Sequence, residues 1–301
     1  MLQRIAQEAE RRIIYCSDIC ATRALAIAGT TPLRTALALK NFMNRYLLSR
    51  GYFRITLELT FGLEFHIPYY ALRRGPRTDD KRQIHGKPLR SCTLLPLGDQ
   101  QQRQDFYYEA TNSLLIFGID EWVWTAYCFV DSYFISNINH REYFEVAHPT
   151  DPCLGGSKLM EFPFWNPREY FIAILSRRLR QAAREWVALV NAFEVRMAAY
   201  EQRTLLNFFD NEELTHTKDL TLAGTTLRHF RDSLAATLVA WEDFERDGIQ
   251  ALTLQGCEGL RPKWDEYLSD IRGNISDLRN LRLLLSQRLE FFNTLRDGVS
   301  G

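Results

Sequence analysis

The sequence predicts an α+β protein, with an N-terminal mixed α/β sheet domain followed by a bundle of three long helices. Three observations carry this. Strand-type alternation is confined to the first half, beginning with FRITLELTF at Phe53. A stretch rich in Pro and Gly, HPTDPCLGGSKLMEFPF at 148–164, interrupts the chain near its middle. Beyond it, apolar residues recur at steps of three or four almost to the end.

Taken in order, residues 2–28 predict a helix with poorly defined ends. In a cleaner helix after it, Thr31 can cap, Pro32 suits the first turn, and Gly51 stops the element after Arg50. From Phe53 the period changes to that of a strand. Gly62 breaks the run, LEFHIPYYAL (63–72) continues extended, and Pro68 confines that piece to an edge or a bulge. Residues 73–88, RRGPRTDDKRQIHGKP, read as a loop whose cluster Arg73, Arg74, Arg77, Lys81 and Arg82 forms a flexible tip. Residues 89–97 suggest another strand, and 106–118 one strand or two. Asp120 then caps a predicted helix from Glu121 to about Phe134.

This gives an α/β domain over 1–147, with 1–51 as a helical lead-in, a Pro/Gly linker over 148–165, and the long-helix bundle over 166–301. Asn166 caps the first long helix, Pro167 starts it, and Glu169 reaches back toward the cap. It runs to about Leu206, on the order of 55 Å at 1.5 Å per residue. Its seam is Phe171, Leu175, Leu179, Ala182, Trp186, Leu189, Phe193, Met197 and Tyr200. A second helix fits 217–246, with Leu220, Leu227, Phe230, Leu234, Leu238 and Trp241. Gly248, Gly256 and Gly259 mark a break. Pro262 opens the third, along Trp264, Leu268, Ile271, Ile275, Leu278, Leu281, Leu285, Leu289 and Phe292. Matching seams on three long helices imply coiled-coil-like packing.

Composition narrows the function classes. Lys plus Arg and Asp plus Glu number 37 each, so the net charge is zero. That argues against holding nucleic acid or an anionic membrane by bulk charge, and no nucleic-acid partner is expected. Six scattered cysteines without a CxxC pair give no disulfide framework. The charged N-terminus has no apolar core segment of a secretory signal. No apolar run approaches the roughly 18 residues of a membrane span. The expected location is therefore cytoplasmic.

No chemistry-bearing motif stands out. The histidines form neither HxxxH nor HExxH, and GxSxG, P-loop and GxGxxG patterns are absent. No catalytic residue is assigned, and no enzyme activity or required cofactor is expected. His66, alternating with apolar neighbours, reads as a hydrogen-bonded structural residue. Asp120, Glu121 and Asp131 interrupt the aromatic stretch DEWVWTAYCFVDSYF. Carboxylates are the natural ligands of a hard cation, so these three are the candidate regulatory Mg²⁺ site. The plainer reading is a cap and an exposed helix face. Arg177, Arg178, Arg180 and Arg184 form a basic run, read either as a solvated face or as a surface for an anionic partner or lipid headgroups.

Four strings together resemble one family. They are HIPYYALR (66–73), YEATNSLLIFGIDEWVWTAYCFVDSYF (108–134), WNPREYFIAIL (165–175) and LEFFNTLRDG (289–298). They are similar to fungal CorA-like proteins, relatives of the CorA magnesium transporters, from about Phe53 to the C-terminus. The resemblance implies a cytosolic domain with a mixed sheet flanked by helices. Its long helices would form a funnel toward two membrane spans per subunit, with homo-oligomeric assembly and Mg²⁺ as a regulatory ion between subunits. The family's Gly-Met-Asn pore signature is absent, and Asn41, Phe42, Met43 and Asn44 do not replace it. No pore residue carries over. What the resemblance implies is a structural or regulatory, Mg²⁺-sensing role in divalent metal-ion transport, at a membrane only if spans follow the chain. The alternative is a soluble protein–protein interaction module on the same fold, meeting partner helices through the long-helix seam.

Overall fold

The computed structural model describes residues 11–57, 60–98, 104–135, 150–156, 158–161, 163–204, 214–252 and 261–299. In chain order the elements are β1 (Arg11–Ser17), α1 (Ala21–Thr30), α2 (Leu33–Leu48), β2 (Tyr52–Leu57) and β3 (Phe61–Arg74). Then come β4 (Gln83–Ile84), β5 (Lys87–Pro88), β6 (Cys92–Leu94), β7 (Asp105–Gly118), β8 (Trp124–Val130) and a 3-10 turn, Pro152–Leu154. Three long helices follow: α3 (Pro167–Thr204), α4 (Thr215–Leu252) and α5 (Arg261–Val299). The α+β class with three long C-terminal helices is the one predicted.

The sheet has strand order β1-β8-β7-β3-β2, with β6 paired to β7. Every neighbouring pair is antiparallel except β1 and β8. The long β3–β7 ladder is its spine, in register from Phe61↔Gly118 to Arg74↔Asp105. A small cluster formed by Ile27, Leu39, Phe42 and Tyr46 packs α1 and α2 on Leu115, Tyr127 and Phe129. The large core lies with the long helices and runs without interruption from Phe53 in β2 to Phe292 in α5. Sheet and helices share this one hydrophobic core across the stretch expected as a linker, where Cys153 and Leu154 are themselves buried.

The long helices follow the apolar seams. Every seam residue named above is buried, and α3, α4 and α5 run for 38, 38 and 39 residues. The Asn166 side chain accepts from the backbone N–H of Arg168 at 2.8 Å, so the predicted cap is in place. Gly248 lies inside α4 rather than at a break, whereas Gly256 and Gly259 fall outside the described residues. The helices dock on the sheet through aromatic contacts. Phe53 meets Trp241 edge-on at 5.6 Å, and Tyr107 meets Phe230 at 4.9 Å. Gly51 sits where backbone meets backbone, since a β-carbon there would lie 2.7 Å from the Thr237 Cα.

Several expectations fail in the sheet half, among them the Thr31 cap, since Pro32 stands at the N-cap of α2 and the Thr31 hydroxyl donates to the Ile27 carbonyl. Residues 11–17 form strand β1 and not a helix, because the strand finds its parallel partner β8 more than a hundred residues away. Of the helix expected at 2–28 only 21–28 are helical, within α1, while 2–10 lie outside the described residues. The helix expected from Glu121 to Phe134 is strand β8. Its residues are buried on both faces, so it shows no alternation, and periodicity alone cannot separate such a strand from a buried helix. Gly62 does not break a strand but lies within β3. Pro68 sits in β3 beyond His66, the last residue paired to β2, where that side of the strand is an edge. Finally, the loop at 73–88 is no flexible tip. It carries the β4–β5 hairpin, and Asp80 is only 3% exposed.

Candidate functional site

The most charged buried spot in the described residues grows from a gap in the sheet. Strands β6 and β8 lie along the same side of β7. β6 pairs with Phe106, Tyr107 and Tyr108, while β8 pairs with residues from Asn112 to Gly118. Between them, Glu109 to Thr111 have no full strand beside them, and their backbone groups need other partners. Asp131, the first residue past β8, supplies one, as Thr111 N–H donates to its Oδ2 at 2.9 Å. Glu109 N–H donates to the Ser91 carbonyl at 2.9 Å, and Tyr133 O–H donates to the Glu109 carbonyl at 2.9 Å.

Asp131 is wholly buried and would be costly alone. Arg90 Nε donates to its Oδ2 at 2.7 Å, Arg82 Nη1 to its Oδ1 at 2.7 Å, and the Tyr46 hydroxyl also donates to Oδ1. Burial works to raise the carboxyl's pKa. Arg90 and Arg82, with the Tyr46 hydrogen bond, outweigh it and hold the group below the usual carboxylate range. Burial and the neighbouring Asp131 in turn push the Tyr46 phenol well up. Arg90 spends its remaining N–H groups on the Tyr46 and Leu47 carbonyls at 2.7 and 3.3 Å, where α2 runs out of helical partners. Arg82 also grips Asp80, with Nε and Nη2 at 2.8 and 2.7 Å. The two arginines and two aspartates cancel in charge, and the centre ties α2, the β4–β5 hairpin, β6 and β8 together.

Above it opens a cleft of about 940 Å³, flanked by Arg73, Arg74, Lys81 and Arg82 and by the rings of Tyr108, Tyr133 and Phe134. Most of its positive charge is already used. Arg73 makes a two-pronged pair with Glu185 of α3 at 2.8 and 2.7 Å, and Arg74 pairs with Asp105 at 3.0 Å.

A second polar chain lies under α2. Ser113 Oγ is 2.7 Å from His66 Nδ1, His66 Nε2 is 2.8 Å from Glu64, and Arg45 Nη1 is 2.9 Å from Glu64. The order serine, histidine, carboxylate is that of hydrolases. Here it is sealed, since His66 is 0% and Ser113 1% exposed and the Phe42 ring lies 5.0 Å from the imidazole. Burial pulls the His66 pKa down, against the Glu64 hydrogen bond. The structural reading of His66 agrees with this placement.

The three acids expected to bind a cation do not form a site within the chain. Asp120 lies at the β7–β8 turn, where its Oδ1 accepts from the N–H groups of Trp122 and Val123 at 2.8 and 2.7 Å. Glu121 is exposed and 3.8 Å from Arg168. Asp131 is at the other end of β8, a strand of 7 residues, on the order of 20 Å away. It faces two guanidinium groups instead of water. Among the described residues no group of three His, Cys, Asp or Glu is placed to hold a metal ion. The basic run on α3 is split between the core and one partly exposed face. Arg178 is buried and donates to the Pro152 carbonyl at 2.6 Å, and Arg180 pairs with Asp270 of α5. Arg184 faces solvent and Arg177 is half-buried; by their spacing these two share a helix face with Arg180, while Arg178 is turned inward. Sequence reasoning singles out Asp131, places Arg82 in a flexible tip and misses Arg90. Its one signal was an acid inside an aromatic run, which marks burial as readily as ligation.

No protein-family model matches this chain, and no curated protein matches it. Among solved structures it is similar to the CorA magnesium transporter of Methanocaldococcus jannaschii. The identity is 13% and the TM-score 0.42, over 95% of this chain and 70% of that one. Among the described residues no helix is long and apolar enough to cross a membrane.

Proposed function

We propose that this chain is a CorA-like cytosolic domain with a structural or regulatory role in divalent metal-ion transport. The observation that carries the reading is architectural. Three helices of 38 to 39 residues, each about 57 Å long, are fused to a mixed sheet through one core. Such a body suits the transmission of a shift between its sheet end and its helix ends, because the two halves have no slack between them. The four sequence strings similar to fungal CorA-like proteins point the same way. A Mg²⁺-sensing role would use acids contributed by adjoining copies, with Asp120 and Glu121 as the exposed candidates.

The test is the mass in solution by light scattering, with millimolar Mg²⁺ and with EDTA. The expected outcome is a higher oligomer that needs Mg²⁺ and is lost in the Asp120→Asn/Glu121→Gln double variant. A mass that ignores Mg²⁺ would end the sensing role. One observation favours a second reading, an interaction module with no transport role. Leu25, Leu33 and Leu37 of α1 and α2 are 73%, 93% and 69% exposed. A Mg²⁺-indifferent monomer would leave this second reading as the better one.

A further inference from the structure

At the far end of β8 from Asp131, two large rings stand in solvent. Trp122 is 64% and Trp165 62% exposed, unusual for the largest apolar side chain. The Arg11 guanidinium lies between them, 4.4 Å from the Trp165 ring centre and 5.6 Å from that of Trp122. Stacking of this kind orients the cation but leaves its in-plane N–H groups for another partner. Arg11 has no carboxylate partner among the described residues, and its Nε is buried without a hydrogen bond.

Arg11 also lines a cleft of about 250 Å³ whose walls include Ile13, Trp124, Met160 and Phe164. That space is ample for an apolar body, since roughly 150 Å³ admits a benzene-sized one. A second cation stands at the same cleft. Lys158 Nζ lies 3.3 Å from the centre of the Phe164 ring, and burial draws its pKa down against the nearby Glu169. Asp151 also lines the cleft, but its carboxylate accepts from the Cys153 N–H at 2.8 Å and holds the 3-10 turn.

We propose that this cleft is a binding site for a carboxylate with a short apolar body, the carboxylate held by Arg11 and Lys158 and the body enclosed by the aromatic wall. The source is either a free small acid or the C-terminal carboxylate of a polypeptide ending in an aliphatic residue. Both present the same chemistry, and the site is separate from the metal-transport role.

The experiment titrates the full chain with hexanoate and follows tryptophan emission. Three of the six tryptophans stand at or beside this cleft, so occupancy registers directly. Hexanamide is the uncharged control. A peptide with C-terminal leucine, free and amidated, is the second arm. The expected result is saturable binding of the free carboxylate, no saturation with the amide, and binding weakened roughly tenfold or more by Arg11→Gln. Lys158→Gln gives an independent check, and far-UV circular dichroism confirms that both variants are folded. Tighter binding of the free peptide than of hexanoate assigns the site to a chain terminus, and the reverse assigns it to a small acid. Absence of saturation in both arms, equal binding of the amides, or unchanged affinity in both variants would overturn the proposal.

Discussion

The charged centre around Asp131 and the seam of the long helices both stabilise the fold, by opposite means. The seam is apolar and distributed. Dozens of side chains from Phe171 to Phe292 exclude water together, and no single one defines the geometry. The centre is concentrated, with one carboxylate buried beside two guanidinium groups closing the gap between β6 and β8. A seam degrades gradually when one member is trimmed. A buried ion network does not, since removing one charge strands the others in a medium that cannot solvate them.

The sharpest way to break this contrast is Asp131→Asn, which keeps the shape and removes the charge. Arg90, 1% exposed, would keep its helix-end carbonyls but lose its counter-ion, while Arg82 would retain Asp80 at 2.7 Å and Asp18 at 3.8 Å. Loss of about 3–5 kcal/mol is expected in chemical denaturation. A loss below about 1 kcal/mol would mean that water reaches the centre and that the network is decorative. The depressed Asp131 pKa makes the sign of the pH effect definite. The contribution is fully present above the unfolded carboxyl value of about 3.9, and is lost as pH falls through the lower folded value.

A smaller effect probes the joint between the two regions. Gly51→Ala places a methyl 2.7 Å from the Thr237 Cα, a contact with backbone that no rotamer change relieves. Strand β2 and helix α4 must then separate, at an expected cost of about 1–3 kcal/mol. Restoration by a second-site change is not expected from Thr237→Gly, because the clashing atom is the α-carbon itself. A thermal shift within error of the parent protein would show that the helices and the sheet move apart freely, and would weaken the rigid-body argument.

These two regions were not equally legible in the sequence. The seam was open to reading because helix packing has a local rule, a step of three or four, and every residue it named is buried. The sheet half obeys rules that act across the chain. Nothing near Arg11 announces that β1 will lie parallel to β8, and nothing near Arg82 announces a carboxylate at 131. The run WTAYCFV is apolar on both faces, so its strand character is invisible to periodicity. The acids at 120, 121 and 131 stand out as charge in an aromatic run, yet Glu121 and Asp131 face arginines from distant segments and Asp120 caps the backbone of its own turn. Arg11 was passed over because a cation stacked on Trp122 and Trp165 needs three segments at once, and no spacing encodes that.

The smallest effect separates the two buried polar clusters. The Asp131 centre is fully charged, whereas the Ser113–His66–Glu64 chain is held with a neutral imidazole, since burial lowers the His66 pKa. A depressed histidine pKa means that the unfolded chain binds the proton more readily. Its contribution is therefore complete above the unfolded value of about 6.5 and is lost as pH falls through the lower folded value. His66→Gln keeps one hydrogen bond but cannot titrate. It should flatten the slope of unfolding free energy just below about pH 6.5, by up to one proton's worth, or about 1.4 kcal/mol per pH unit at the limit. Asp131→Asn should lower stability evenly across that window without changing its slope, and should alter the slope only below about pH 4, where the parent carboxylate takes up its proton. An equal slope in the parent and His66→Gln over this range would place the proton elsewhere and show that the imidazole charges inside the fold, paired with Glu64.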